Sequence, residues 1–150
     1  MGAEWFEEKV EGASCAEAFR YAQEDARYEY GHGGYTGTIA EADGFKIVTE
    51  QMIHEIIIQK EEEATEICEE LDGMIEDETS FDKMHYDAQD QWRHNLLAEI
   101  RVLQETEPTT LKASIIIEHY ESIGEPEKWG PAYAVPCEGN VWWFFGTASS

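Results

Sequence analysis

Apolar side chains recur at every third or fourth position in three stretches of this 150-residue chain, as they do on one face of an α-helix. The first stretch follows Ser14 and Glu17, whose spacing is that of a helix-capping box, and it stops at Gly31, a residue type that commonly ends helices. The second stretch covers residues 81–104, and the third covers residues 108–124. The pattern predicts one helix in each stretch.

The pattern between residues 49 and 75 is ambiguous. Helical spacing is kept by six apolar residues, namely Ile53, Ile57, Ala64, Ile67, Leu71 and Met74. The run of isoleucines at 56–58 is equally compatible with a buried strand. We predict a helix from about residue 62 and keep both alternatives for residues 50–60.

Short runs of aromatic and β-branched residues lie near both ends of the sequence and predict strands. They cover residues 5–10, 35–40, 45–48, 129–135 and 141–146. Turn residues at 42–44 and 138–140 predict a hairpin at each of these places. The order of elements predicts a single α+β domain over residues 1–150. Its antiparallel sheet of about four to five strands from both termini is covered on one face by about three to four helices.

Side chains alternate between the two faces of a strand, which has a consequence for the last predicted strand. Trp142 and Phe144 point to one face of the sheet, and Trp143 and Phe145 point to the other. One pair must pack against the helices. The other pair is covered by helices on the second face, or it forms a contact surface for a ligand or for a second copy in a homodimer.

The charge balance narrows the functions that the chain can have. Ten Lys and Arg oppose 33 Asp and Glu, which gives a formal net charge of −23. Binding to nucleic acid or to an anionic membrane relies on Lys and Arg, so we predict neither direct nucleic-acid binding nor membrane binding. Three explanations of the acidity remain: halophilic adaptation to a salt-rich cytoplasm, mimicry of DNA by acidic helices such as residues 61–78, and cation binding.

The sequence contains no recognised metal-binding motif. Glu outnumbers Asp 26 to 7, and no calcium-loop pattern is present. Asp90 and His94 are spaced to share one face of a helix, but the surrounding residues complete no zinc or di-iron motif. We therefore predict no metal and no cofactor.

The cysteines and the hydropathy pattern predict a soluble, cytoplasmic protein. Cys15, Cys68 and Cys137 are odd in number and widely separated, which favours reduced thiols over disulfides or a zinc site. The first residues lack the basic and apolar regions of a signal peptide. No apolar run has the length of a transmembrane helix.

A glycine-rich segment after the first predicted helix is the candidate binding site. Glycines permit close backbone approach, while Tyr, Thr and His supply hydrogen-bonding groups. Alternatively, the glycines at 31–37 only cap the helix and let the chain cross the sheet. The candidate ligand-binding residues are His32, Gly33, Gly34, Tyr35, Thr36, Thr38 and Trp129.

Two terminal segments carry a resemblance. Residues 30–41, with the helix before them, and the ending formed by residues 128–132 and 144–149 resemble a group of small uncharacterised proteins encoded by tailed viruses of bacteria and archaea. The resemblance implies a virus-encoded accessory protein in host cytoplasm and implies no activity. It also suggests that the two segments belong to one structural unit.

These observations favour a non-enzymatic binding protein for a host protein or a small metabolite, and we assign no catalytic residue. One alternative is a DNA-mimic inhibitor that acts through its acidic helices. The other alternative is a small enzyme that uses His32 with Tyr35 or Thr36, although no recognised catalytic triad accompanies them.

Overall fold

The computed structural model describes residues 2–31, 36–76, 82–126 and 130–149. Within these residues the chain forms four α-helices and four β-strands, which confirms the α+β class. The strands are β1 (Ala3–Glu11), β2 (Phe45–Ile47), β3 (Ala132–Pro136) and β4 (Val141–Ser149). The helices are α1 (Cys15–Tyr30), α2 (Glu50–Glu76), α3 (Lys83–Leu103) and α4 (Thr110–Ile123).

The chain divides into two compact units. The first, here called the sheet unit, comprises Met1–Thr49 and Glu107–Ser150. The second, here called the helical pair, comprises Glu50–Thr106 and contains α2 and α3. No helix in the described ranges combines the length and the apolar composition needed to cross a bilayer.

The sheet draws its strands from both ends of the chain, as predicted, in the order β1-β4-β3-β2. β4 pairs antiparallel with β1 over nine residues, from Ala3 opposite Ser149 to Glu11 opposite Val141. β3 and β4 form the predicted hairpin, in which Gly139 adopts a positive φ of 69°. β2 pairs parallel with β3, so the sheet is mixed rather than purely antiparallel.

The strand predicted over residues 35–40, and the hairpin that it would form with β2, are wrong for the described residues. Ile39–Glu41 is a turn of 3₁₀ helix, and Gly37 has a positive φ of 70°, which a regular strand does not contain. The predicted turn at residues 42–44 instead contacts the start of β3, where the Gly44 carbonyl accepts a hydrogen bond of 2.8 Å from the Ala132 amide.

Both faces of the sheet are covered by a helix, which corrects the one-face arrangement. The ring of Phe144 lies 5.6 Å from that of Phe19 on α1. Phe145 points the other way and stacks on Tyr120 of α4, with ring centroids 5.8 Å apart. Both phenylalanines are fully buried. The face of β4 that carries Phe145 is therefore part of the core. This is the alternative in which helices also cover the second face of the sheet.

The first helix begins and ends at the residues that the sequence indicates. The Ser14 hydroxyl accepts a hydrogen bond from the Glu17 amide, and the Glu17 carboxylate accepts one from the Ala13 amide. Gly31 follows the helix with a φ of 84° and donates its amide to the carbonyl of Arg27. Local capping is enough to fix both ends of α1.

The third and fourth helices are also confirmed. Asp82 caps α3 by accepting hydrogen bonds from two amides, whereas the N-cap predicted at residues 77–80 lies outside the described residues. Thr109 caps α4 through the Lys112 amide, and Gly124 ends the helix in the left-handed conformation.

Residues 50–60 are helical, which settles the alternative left open by the sequence. α2 runs without interruption from Glu50 to Glu76 and lies antiparallel to α3. The direction follows from two ion pairs: Lys60 with Glu99 at 2.7 Å, and Glu70 with His85 at 3.2 Å. The apolar centre of the helical pair is formed by Ala64, Ile67, Leu71 and Leu96.

The outer strand β1 places Glu8 close to two carboxylates of α1. Partial burial, followed by repulsion from Glu29 and Asp25, raises the pKa of Glu8 above its ordinary value of 4.5. A carboxyl group whose pKa is higher in the folded state stabilises the fold only at low pH. That contribution is lost as the pH rises through the raised pKa.

Glu8→Gln is therefore expected to raise the free energy of unfolding at pH 7, by less than about 1 kcal/mol because solvent screens surface charges. The difference should vanish below about pH 3.5, where both the folded and unfolded states carry a protonated Glu8. Urea denaturation at the two pH values measures it. Glu4→Gln, on the same strand, is the control. Equal stabilisation by both substitutions would assign the effect to net charge alone.

Candidate functional site

The glycine-rich segment is described at its two ends. Gly31 completes the cap of α1, and the described chain resumes at Thr36. His32, Gly33, Gly34 and Tyr35 lie outside the described residues, as does Trp129. The ligand-binding role of these five residues stays a prediction.

The two predicted threonines form a short hydrogen-bonded chain. The Ala40 amide donates to the Thr38 hydroxyl at 3.3 Å, the two hydroxyl oxygens of Thr38 and Thr36 are 2.8 Å apart, and Thr36 donates to the Glu41 carboxylate at 3.1 Å. Because the proton of Thr36 goes to Glu41, Thr38 must be the donor between the two hydroxyls. Both hydroxyl protons thus stabilise the turn. A ligand would have to displace these bonds to receive either proton.

The turn is also tied to α1 and to the core. The side-chain amide of Gln23 donates to the carbonyls of Ile39 at 3.3 Å and Ala42 at 3.1 Å. The Ile39 side chain is fully buried within the sheet-unit core. The end of the glycine-rich segment is therefore held in place by hydrogen bonds to α1 and by packing in the core.

Asp90 and His94 do share one face of α3, with His94 Nδ1 at 3.6 Å from an Asp90 carboxylate oxygen. The same carboxylate bonds Arg93 at 2.8 Å, and this hydrogen bond lowers the pKa of Asp90. Neither here nor at any other place in the described ranges do three His, Cys, Asp or Glu side chains converge in a metal-binding arrangement. Asp90 is thus an ion-pair partner of Arg93 on the same helix.

The three thiols occupy different environments. Cys15 and Cys137 are buried in the sheet unit, and burial raises the pKa of Cys15 to about 11. Burial also raises the pKa of Cys137. Cys68 is exposed on the helical pair. Since the thiolate is the reactive form, Cys68 is the accessible thiol of the three in the folded protein.

The helical pair contains an open groove that the sequence reasoning did not find. Its volume is about 260 Å³, and it is formed entirely by α2 and α3. The lining residues are Glu61, Ala64, Thr65, Cys68, Arg93 and Leu97. We call this feature the α2–α3 groove. It is small for a drug-sized ligand, whose sites measure roughly 300–1,000 Å³.

Two side chains of α3, one of them the groove-lining Arg93, each contain a buried polar atom without a hydrogen bond. Nε of Arg93 and Oε1 of Gln89 are buried, and the described part of the chain supplies no hydrogen-bond partner for either atom. The terminal nitrogen of Arg93 is held by Asp90. The guanidinium is thus fixed at the wall of the groove.

Negative charge is concentrated on the helical pair. Residues 50–106 contain 17 Asp and Glu against four Lys and Arg, and ten of those acidic residues lie on α2. Such a density creates a potential that attracts cations over a distance of about one Debye length, roughly 10 Å at moderate salt. The arrangement suits recognition of a positively charged surface.

Comparison with protein-family models, with curated proteins and with solved structures finds no match to this chain.

Proposed function

We propose that this protein is a non-enzymatic binding protein that captures a cationic protein through the helical pair. The observation that carries the proposal is the charge of residues 50–106, where 17 acidic residues oppose four basic ones. Complementary charge speeds the encounter of two proteins and excludes partners of the wrong sign. Binding of this kind needs no catalytic group.

The extent of the acidic surface favours a macromolecular partner over a small metabolite. α2 has 27 residues, so its carboxylates are distributed over about 40 Å at the usual rise of an α-helix. A small metabolite contacts only a fraction of that length. A metabolite site in the glycine-rich segment remains the second form of the proposal.

The setting that we propose is the cytoplasm of a host cell. The resemblance of the terminal segments to proteins of tailed viruses supports an accessory role there. The cationic partner would then be a host protein.

Mimicry of DNA is a more specific version of the same proposal, and the spacing of charges favours it. Ten carboxylates along α2 amount to about one charge every 4 Å. One strand of duplex DNA carries a phosphate about every 3.4 Å. A DNA-binding protein would meet a similar average negative charge per unit length along α2.

Native mass spectrometry of protein purified gently from its natural cells tests the proposal. We expect a basic protein to remain bound and to be released by added salt. A variant with Glu62, Glu66 and Glu69 changed to Gln should lose at least about 90% of it, a tenfold change that corresponds to about 1.4 kcal/mol. Release by added duplex DNA would support mimicry.

A matched control neutralises the same number of charges on the sheet unit. The control variant carries Gln at Glu4, Glu11 and Glu24, which are all exposed. It should retain the partner. Equal loss from both variants would show that net charge alone drives the interaction. A bound metabolite in place of a protein would overturn capture of a cationic protein and would favour the second form of the proposal.

A further inference from the structure

We infer that the α2–α3 groove docks one cationic, amphipathic α-helix of a partner protein, which becomes the third helix of a small bundle. The inference rests on the proposed function and names the part of the partner that is recognised. It adds a defined apolar contact to an interaction otherwise described by charge.

The groove offers apolar surface that the two helices leave uncovered. Ala64 forms part of its floor, while Leu97 of α3 is 39% exposed. Thr65 contributes a methyl group, and Cys68 behaves as a small apolar side chain. Two packed helices cover only one side of each other, so a third helix completes the burial.

Exposed apolar side chains are also found beyond the groove along α2, on a side of the helix that they share with Glu61 and Asp72. Residues separated by alternating steps of three and four form a stripe on this side of the helix: Ile58, Glu61, Thr65, Cys68, Asp72 and Ile75. Its end members, Ile58 and Ile75, are 41% and 56% exposed. They are 17 positions apart, or about 26 Å along the axis. A partner helix of about five turns matches that length.

The rim of the groove specifies the charge of the partner. Glu62, Glu69 and Glu76 follow one another at intervals of seven residues and flank the stripe on α2. In helix–helix packing, flanking residues at this interval pair with opposite charges on the neighbouring helix. The basic side of the partner helix therefore lies toward α2.

Cations on the same side belong to α3 and set the orientation. Arg93 lines the groove, where Asp90 partly neutralises it, and Arg101 lies one turn beyond Leu97. The contrast between an acidic α2 rim and a partly basic α3 rim distinguishes the two edges. A second copy of this chain is a poor occupant, because its own helical pair has the same excess of 13 negative charges.

The test uses a synthetic peptide of about 18 residues made of Leu and Lys, arranged so that the leucines share one helical face. A peptide of the same composition, scrambled to remove that face, is the control probe. The readout is the rate at which iodoacetamide modifies Cys68, the exposed thiol inside the groove. Cys15 and Cys137, which are buried, serve as internal references.

We expect the amphipathic peptide to slow modification of Cys68 at least about tenfold, and the scrambled peptide to leave the rate unchanged within about twofold. Unchanged reactivity at saturating amphipathic peptide would overturn the inference. If a higher protein concentration without peptide slowed the modification of Cys68, the inference would be overturned, and a second copy of this chain would be the occupant of the groove.

Two matched pairs of surface variants locate the contact. Leu97→Asp removes a groove wall, and Ala98→Asp makes the same change on the exposed neighbouring position. Glu62→Lys reverses a rim charge, and Glu24→Lys reverses an exposed charge on α1 of the sheet unit. Fluorescence anisotropy should show about a tenfold weaker peptide affinity for the first of each pair and less than about a threefold change for the second.

The outcomes separate the two proposals. If the cationic peptide binds but both members of each pair respond equally, the groove is not the contact and the electrostatic proposal stands alone. If no cationic protein is captured in the experiment on the purified complex, the proposed function fails whatever the peptide does.

Discussion

Replacement of either Phe144 or Phe145 by alanine is expected to lower the free energy of unfolding of the sheet unit by about 3–5 kcal/mol. The two residues are adjacent on β4, yet they face opposite sides of the sheet and are both fully buried. Phe144 packs against α1 and Phe145 against α4. Each substitution leaves a cavity between the sheet and a different helix. Urea denaturation monitored by circular dichroism measures both losses.

Comparable losses at the two positions are the central feature of this prediction. An aromatic residue on a solvated or ligand-binding face would lose far less on truncation, within about 0.5 kcal/mol when exposed. Tyr28→Ala is the control, because Tyr28 is 92% exposed on α1. If Phe145→Ala cost as little as Tyr28→Ala, α4 would not cover that face of the sheet.

Ile39→Ala is the second substitution for which a large effect is expected, about 2–5 kcal/mol of unfolding free energy. Ile39 is the fully buried residue of the 3₁₀ turn, and it belongs to the sheet-unit core that includes Phe19 and Phe144. The turn after the glycine-rich segment is thereby fixed by packing as well as by the hydrogen bonds of Gln23. Thermal and urea unfolding should both register the loss.

The same change at an exposed isoleucine provides the comparison. Ile75 on α2 is 56% exposed, and alanine is a better helix former than isoleucine. Ile75→Ala should therefore remain within about 0.5 kcal/mol of the unsubstituted protein. A loss at Ile39 no larger than that at Ile75 would show that the 3₁₀ turn is not anchored in the core.

Elements governed by local chemistry could be predicted from the sequence. α1 needs only Ser14, Glu17 and Gly31 to define its ends, and each of them acts within four residues. α4 is similarly bounded by Thr109 and Gly124. Capping interactions of this kind do not depend on the rest of the fold, which is why the residue pattern is sufficient.

Elements that depend on residues distant in the sequence could not be predicted in this way. Residues 35–40 have the composition of a strand, but the positive φ of Gly37 and the bonds from Gln23, 16 and 19 residues away, fold this stretch into a turn. The partner of β2 is much more distant in sequence, since β3 follows three helices later. Parallel pairing requires such a long connection, and the residues of β2 do not indicate which strand will be its partner.

The candidate site was predictable only in part. The Thr36 and Thr38 side chains proved to bond each other and Glu41, contacts that depend on the turn they stabilise. The stripe that borders the α2–α3 groove was present in the sequence from Ile58 to Ile75. It could be recognised only after Leu97 and Arg93 of α3 were placed opposite it.

The pairing of β1 with β4 also determines when the protein can finish folding during synthesis. β1 cannot pair until residues 12–140 have been synthesised, because its only sheet neighbour in the described structure is β4. At 5–20 residues per second, the ribosome takes on the order of 10 s to reach β4. The helical pair is contiguous in sequence and can assemble first. The glutamates of β1 keep the waiting segment charged, which protects it from pairing with other nascent chains.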